Sequence, residues 1–160
     1  MIAGSDADRL LSQGYGVSMR AGKVQLSLLE AVYLHRKGSV TLTDARGKLL
    51  SDEQVERRAA RLERDFYTRE AVFADLRSRG YVVKTALKYG ADFRVYDRGV
   101  KPGQDHARWI VFPVRERDKL SWRDFAGKNR IAHSTHKRLM LAIVDDEGDV
   151  TYFEVRWVRP

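Results

Sequence analysis

Side chains that can move a proton or hold a charge are scattered through this chain, and most groupings of them fail on type or spacing. His133 and His136 stand three residues apart, as two metal ligands on one helix can, but no Glu or Asp at a suitable spacing completes the set. Asp149 with Glu154 and Arg156 imitates the carboxylate cluster of a metal-dependent nuclease only weakly, since Arg stands where Lys is expected. Two-metal hydrolysis needs carboxylates that converge on one point. Asp145, Asp146, Glu147 and Asp149 instead sit on one hairpin tip, where they are expected to project outward. The chain has no cysteine, which excludes disulfides, zinc–thiolate sites and thiol catalysis. No Gly-rich loop runs into Lys-Ser/Thr, and Gly14-Tyr15-Gly16 reads as a turn. The expected metal and cofactor set is therefore none. What survives is a dispersed set of Tyr, His and Lys in the back half, in the segment 87–96, at the end of the loop 97–105 and in the segment 131–138. By type alone such residues are better read as a core tyrosine, a loop histidine and a surface lysine than as an acid–base site.

The surrounding composition narrows the partners. Thirty Lys and Arg against 22 Asp and Glu leave a net charge of +8, and 21 of the cations are Arg. Guanidinium groups suit bidentate contact with phosphates and stacking on bases, so nucleic acid is one reading. The ion-pair networks of a heat-adapted surface are the other. At 160 residues and 43% hydrophobic the chain can bury a core as one domain or two small ones. Its longest apolar runs, 109–114 and 139–144, are six residues each, far short of the ~20 of a membrane span. With no basic start followed by an apolar stretch, the expectation is a soluble protein of the cytoplasm, away from membranes.

The elements that must position these side chains can be read from caps and periodicity. Residues 14–26 alternate between glycines as short strands do. Ser27 with Glu30, and Ser51 with Gln54, have the spacing of capping boxes. The second of these is expected to start a charged helix with Val55, Ala59, Leu62 and Phe66 on one face, and Glu63 and Arg69 among its exposed charges. Thr68 is the expected N-cap of the next helix, which Gly80 stops. From Tyr81 the pattern becomes strands: 81–85, 92–96, a mostly apolar 108–114, 139–144 and 150–158. A helix capped by Ser121 and Asp124 interrupts them, and 145–149 makes a hairpin with Gly148 at its left-handed position. The expected class is α/β (α+β): a small mixed α/β domain at 1–66 and a strand-rich α/β domain at 67–160.

Two longer strings carry a resemblance. Residues 80–96, Gly-Tyr-Val-Val-Lys-Thr-Ala-Leu-Lys-Tyr-Gly-Ala-Asp-Phe-Arg-Val-Tyr, and 142–155, Ala-Ile-Val-Asp-Asp-Glu-Gly-Asp-Val-Thr-Tyr-Phe-Glu-Val, resemble the archaeal tRNA-splicing endonuclease family. Residues 26–34 do so more weakly. The resemblance implies a catalytic domain with a central mixed sheet similar to the restriction-endonuclease-like fold. It puts the family's catalytic Tyr, His and Lys on Tyr96, His106 and Lys137, at intervals of 10 and 31 residues. Ala107 stands where the family often has Ser.

By the same resemblance the chain is a tRNA-intron lyase that cuts precursor tRNA at bulge–helix–bulge junctions without metal, leaving a 2′,3′-cyclic phosphate and a 5′-hydroxyl. The reaction needs a base for the 2′-hydroxyl, an acid for the leaving oxygen and a cation for the charge that develops on phosphorus. Tyr96 would be the base if cations hold its phenol below the ordinary value of about 10. His106 would be the acid and Lys137 the cation. Arg130 and Arg156, with Trp157 as an alternative to the latter, are the candidates that sandwich a bulged base. The family assembles four equivalent folds, so this single-length chain would form a homotetramer or a heterotetramer with a structural subunit. Asp145, Asp146, Glu147 and Asp149 would dock that assembly, and Phe153, Val155 and Val158 would line a paired edge strand.

Overall fold

The computed structural model describes residues 2–3 and 5–158. Contacts divide the chain into two compact units, Met1–Glu70 and Ala71–Pro160. The mixed α/β class expected from the sequence is the class observed.

In the first unit, β1 (Ile2–Ala3), β2 (Val17–Met19) and β3 (Lys23–Gln25) form an antiparallel sheet in the order β1-β3-β2, with α1 (Ser5–Ser12) between β1 and β2. The sequence reading did not include β1 or α1. The helix α2 (Leu28–Arg36) opens with the expected capping box: Ser27 Oγ accepts from the Glu30 amide, and Glu30 Oε2 accepts from the Ser27 amide at 2.8 Å. The other oxygen of Glu30 accepts from the Gly16 amide at 3.0 Å, so this buried carboxylate also ties down the turn before β2. Gly16 has φ +65°, and a Cβ there would meet Val24 Cγ1 at 2.3 Å. Only glycine fits.

The second capping box also forms, at the start of α3 (Asp52–Leu62). The expected face of that helix needs correction. Glu63 is extended and Asp65 adopts φ +53°, so the chain breaks there and a new helix, α4 (Phe66–Ser78), begins at Phe66. Leu62 is 75% exposed, Phe66 is buried at the head of α4, and Thr68 lies inside that helix rather than capping it. The i, i+4 spacing of apolar residues runs through the break and hides it. Arg69 is buried, not exposed, and donates to Glu63 across the break at 2.9 Å.

In the second unit, β4 (Val82–Thr85), β5 (Phe93–Tyr96), β6 (Trp109–Arg115), β7 (Arg138–Val144) and β8 (Val150–Val155) form one mixed sheet in chain order. Only β6 and β7 run parallel, and the crossover that this requires carries α5 (Trp122–Ser134). Cross-strand partners share a face. Ile110 and Leu139 pack under Ala132 of α5, whereas Phe73 of α4 meets Phe93 at 6.1 Å on the opposite face. Gly80 ends α4 as expected, with φ +89° and the Tyr81 amide donating back to the Leu76 carbonyl. The last strand is shorter than expected: β8 stops at Val155, leaving Val158 outside it.

Candidate active site

Three adjacent strands bring the candidate residues to one end of the second unit's sheet. Tyr96 closes β5, His106 and Ala107 approach β6, and Lys137 immediately precedes β7. Val95 lies opposite Trp109, which lies opposite Arg138. The Arg108 amide donates to the Val95 carbonyl at 2.9 Å, and the Arg138 amide to the Arg108 carbonyl at 3.0 Å. At the usual strand spacing, Tyr96 and Lys137 sit on lines about 10 Å apart, a gap that two long side chains can close around a phosphate. The alternation of strand side chains puts both on the α5 face, Tyr96 in step with Arg94 and Lys137 in step with Leu139.

Each residue is held differently. Tyr96 is 4% exposed, its side chain packed with Val82, Ala107 and Val100 of the loop 97–105. Asp97 and Arg108 pair at 2.8 Å across the base of that loop, and His106 is exposed at its end, its amide donating to Asp105. His136 turns the chain with φ +54°, so that Lys137 curls back and its ammonium donates to the Thr135 carbonyl at 2.8 Å. This is the C-terminal end of α5, where exposed carbonyls attract cations.

A cleft of about 290 Å³ opens beside Lys137 on the same face. Asn129 and His133 of α5, Arg138, Arg156 and Trp157 line it, with the His133 and Trp157 rings 5.0 Å apart. Arg156 and Trp157 thus meet Lys137 in one cavity. Arg130 does not line it, and is exposed with its Nε on the Ala126 carbonyl of its own helix.

The sequence reading dismissed Glu154 as part of a weak metal cluster and so missed its place here. Its carboxylate accepts from the Trp109 indole at 2.9 Å, from Arg156 at 2.9 Å and from Arg138 at 3.2 Å. The indole bond first, then the two guanidinium groups, pull its pKa down to about 2. One carboxylate therefore fixes β6, the start of β7 and the segment after β8 relative to one another.

The acidic hairpin needs one correction. Asp145 folds inward, accepting from the Glu147 and Asp149 amides at 2.9 Å each, so three carboxylates project outward rather than four. Asp146 lies 3.8 Å from Arg117. On the edge strand β8, Phe153 is 55% exposed, while Val155 packs partly onto the core under α5.

Residues 1–56 match the N-terminal domain model of the tRNA intron endonucleases, and residues 66–152 match the family's catalytic C-terminal domain. The chain belongs to the tRNA intron endonuclease family. It is 40% identical over 158 residues to the tRNA-splicing endonuclease of Methanothermobacter thermautotrophicus, covering 99% of this chain and 91% of that one. The Thermococcus kodakarensis enzyme is 41% identical over 150 residues, covering 94% and 87%, and that of Nanoarchaeum equitans 39% over 142 residues, covering 85% and 90%. This tRNA intron endonuclease carries Tyr96, His106 and Lys137 inside the matched catalytic segment, whereas Arg156 and Trp157 lie beyond it. No helix among the described residues is long and apolar enough to cross a membrane.

Proposed function

We propose that this endonuclease cuts precursor tRNA in the cytoplasm at bulge–helix–bulge junctions by making the RNA attack itself. Tyr96 takes the proton of the 2′-hydroxyl, whose oxygen then bonds to the adjacent phosphorus. The bond from phosphorus to the 5′-oxygen breaks, and His106 gives that oxygen its proton. Lys137 exchanges its Thr135 carbonyl for the phosphate and stabilises the added charge, a task that needs no metal ion. The products are a 2′,3′-cyclic phosphate and a 5′-hydroxyl. What supports this most is the register of β5, β6 and β7, which gathers a base, an acid and a cation at one sheet end. Arg156 and Trp157 hold substrate beside Lys137, and Arg130 reaches it from α5. The working assembly has four folds, as a homotetramer or with a structural subunit. The exposed carboxylates Asp146, Glu147 and Asp149 dock it on the turn that Asp145 organises, and Phe153 and Val155 lie on the paired edge.

Purified protein offered a bulge–helix–bulge RNA in excess EDTA, with a polyamine to keep the RNA folded, should cut it and leave cyclic phosphate ends. Cleavage that stops in EDTA and returns with Mg²⁺ refutes the metal-free route. A second reading, a non-catalytic structural subunit, draws on the burial of Tyr96 against Val82, Ala107 and Val100. The two part on one result: under the second, the purified chain binds this RNA and leaves it whole.

A further inference from the structure

On the opposite face of the sheet from Lys137, a second cavity of about 190 Å³ has a cationic and aromatic lining that the cleavage chemistry does not use. Arg79 of α4, Tyr81, Arg98, Trp109, Met140 and Tyr152 surround it. The Tyr81 and Trp109 rings meet edge to face at 5.9 Å, and the Arg98 guanidinium lies over Tyr81 at 5.0 Å. Several polar groups of this lining are already engaged. Tyr152 donates to Asp75 at 2.7 Å and Arg79 to the same oxygen at 2.8 Å, while the Trp109 indole donates to Glu154. Burial and the bond to Asp75 keep the Tyr152 phenol protonated well above its ordinary range. Arg98 differs, being exposed and paired with no carboxylate among the described residues.

A pocket lined by aromatic rings and aliphatic surface, with Arg108 over the Trp109 ring at 4.7 Å and at its mouth an exposed Arg98 guanidinium that no described carboxylate holds, suits a flat ring carrying an anion. Its volume is below the roughly 300 Å³ at which drug-sized ligands begin, so one ring enters and the anion stays outside. Arg98 lies two residues past Tyr96, and Trp109 three past His106, so the pocket opens at the same end of the sheet as the candidate catalytic residues. We infer that this cavity is a nucleotide subsite: it takes one unstacked base of the RNA, without reading its edge, and Arg98 holds the attached phosphate. The inference rests on the RNA-cleaving reading for the source of the nucleotide, not for the chemistry of the pocket.

Met140 in the wall provides the reporter, because the chain has only three methionines. With ¹³C-methyl methionine in the whole protein, adenosine 5′-monophosphate should shift the Met140 signal saturably and leave Met19 in place. Adenosine without phosphate should bind about tenfold more weakly, and inorganic phosphate alone should not move Met140. Arg98→Ala should erase the difference between nucleotide and nucleoside and raise the KM for bulge–helix–bulge RNA about five- to tenfold. A Met140 signal unmoved by millimolar nucleotide overturns the subsite, as does one that shifts with protein concentration alone, which would mark a second copy in the pocket. If the nucleotide binds through Arg98 but the RNA KM does not change, the site serves a free nucleotide and its assignment to RNA is overturned. Failure of the protein to cut any RNA, with Arg98-dependent nucleotide binding intact, counts against the cleavage reading instead.

Discussion

Glu30 in the first unit and Glu154 in the second are both tied to several groups, but to different kinds. Glu30 engages the Ser27 and Gly16 amides and, through its own amide, Ser27 Oγ. Glu154 engages the side chains of Trp109, Arg138 and Arg156. A backbone donor cannot leave without moving the chain, so Glu30 is a fold device. A guanidinium on a flexible stem can hold a carboxylate at rest and still turn one face to a phosphate, so Glu154 organises a surface that remains available. The same division recurs within one hairpin, where Asp145 is spent on backbone amides while Asp149 and Asp146, the latter 3.8 Å from Arg117, stay exposed.

The largest expected effect tests whether the second unit's charges serve chemistry at all. His106→Ala should lose on the order of 10²–10⁴-fold in single-turnover cleavage while keeping RNA affinity and the wild-type melting temperature. Tyr96→Phe removes only a hydroxyl and should fall in the same range. Wild-type rates in both folded variants would break the comparison, since the sheet end would then be structure like the first unit. The assembly comes next. Asp146→Lys with Asp149→Lys should split a tetramer into dimers and remove cleavage while the Asp145 turn persists. Sedimentation of an unchanged tetramer would show that the exposed carboxylates have no docking role.

The first unit should respond in stability instead. Gly16→Ala combines a left-handed backbone with a Cβ inside Val24, at a cost of about 2–5 kcal/mol. Glu30→Ala strands the Gly16 and Ser27 amides, costing about 1–3 kcal/mol for each amide that water cannot reach. Thermal melts should show both losses, while cleavage per folded molecule at low temperature stays near wild type. A specific loss of turnover without destabilisation would place the first unit in the site.

What could be read from the sequence divides along the same line. The caps at Ser27, Ser51 and Ser121, the stop at Gly80 and the turn at Gly148 are local, each set by residues within five positions, and each formed as expected. The catalytic candidates came from a resemblance, and their strands were visible as apolar runs. The break at Asp65 was hidden because an extended Glu63 and a left-handed Asp65 preserve helical spacing of Val55, Ala59 and Phe66 around it. Glu154 was hidden because Trp109, its indole donor, lies 45 residues away and meets it only once β6, β7 and β8 are in register. Arg130 was placed by interval alone, and it does not line the cleft beside Lys137.

The smallest expected effect is read from the titration of Glu154. With its pKa held near 2 by the indole and then the guanidinium groups, Glu154 is charged in the folded protein where a free carboxylate, at about 4.5, is already taking up protons. A carboxyl whose folded pKa is depressed stabilises the fold above the unfolded pKa, and that contribution drains away as pH falls toward the folded value. The stability gap between wild type and Glu154→Gln should therefore be constant from pH 7 to about pH 5 and should narrow between pH 4.5 and 2. Urea melts at pH 6, 4 and 3 measure it. Over the neutral range the same variant should raise the RNA KM, with a steeper loss of binding in salt than Glu30→Gln shows, because Arg138 and Arg156 are no longer held in place. A gap that stays constant to pH 3 would mean that the Trp109, Arg138 and Arg156 contacts do not hold the charge. An unchanged KM would mean that they hold it for the fold alone, and the contrast with Glu30 would disappear.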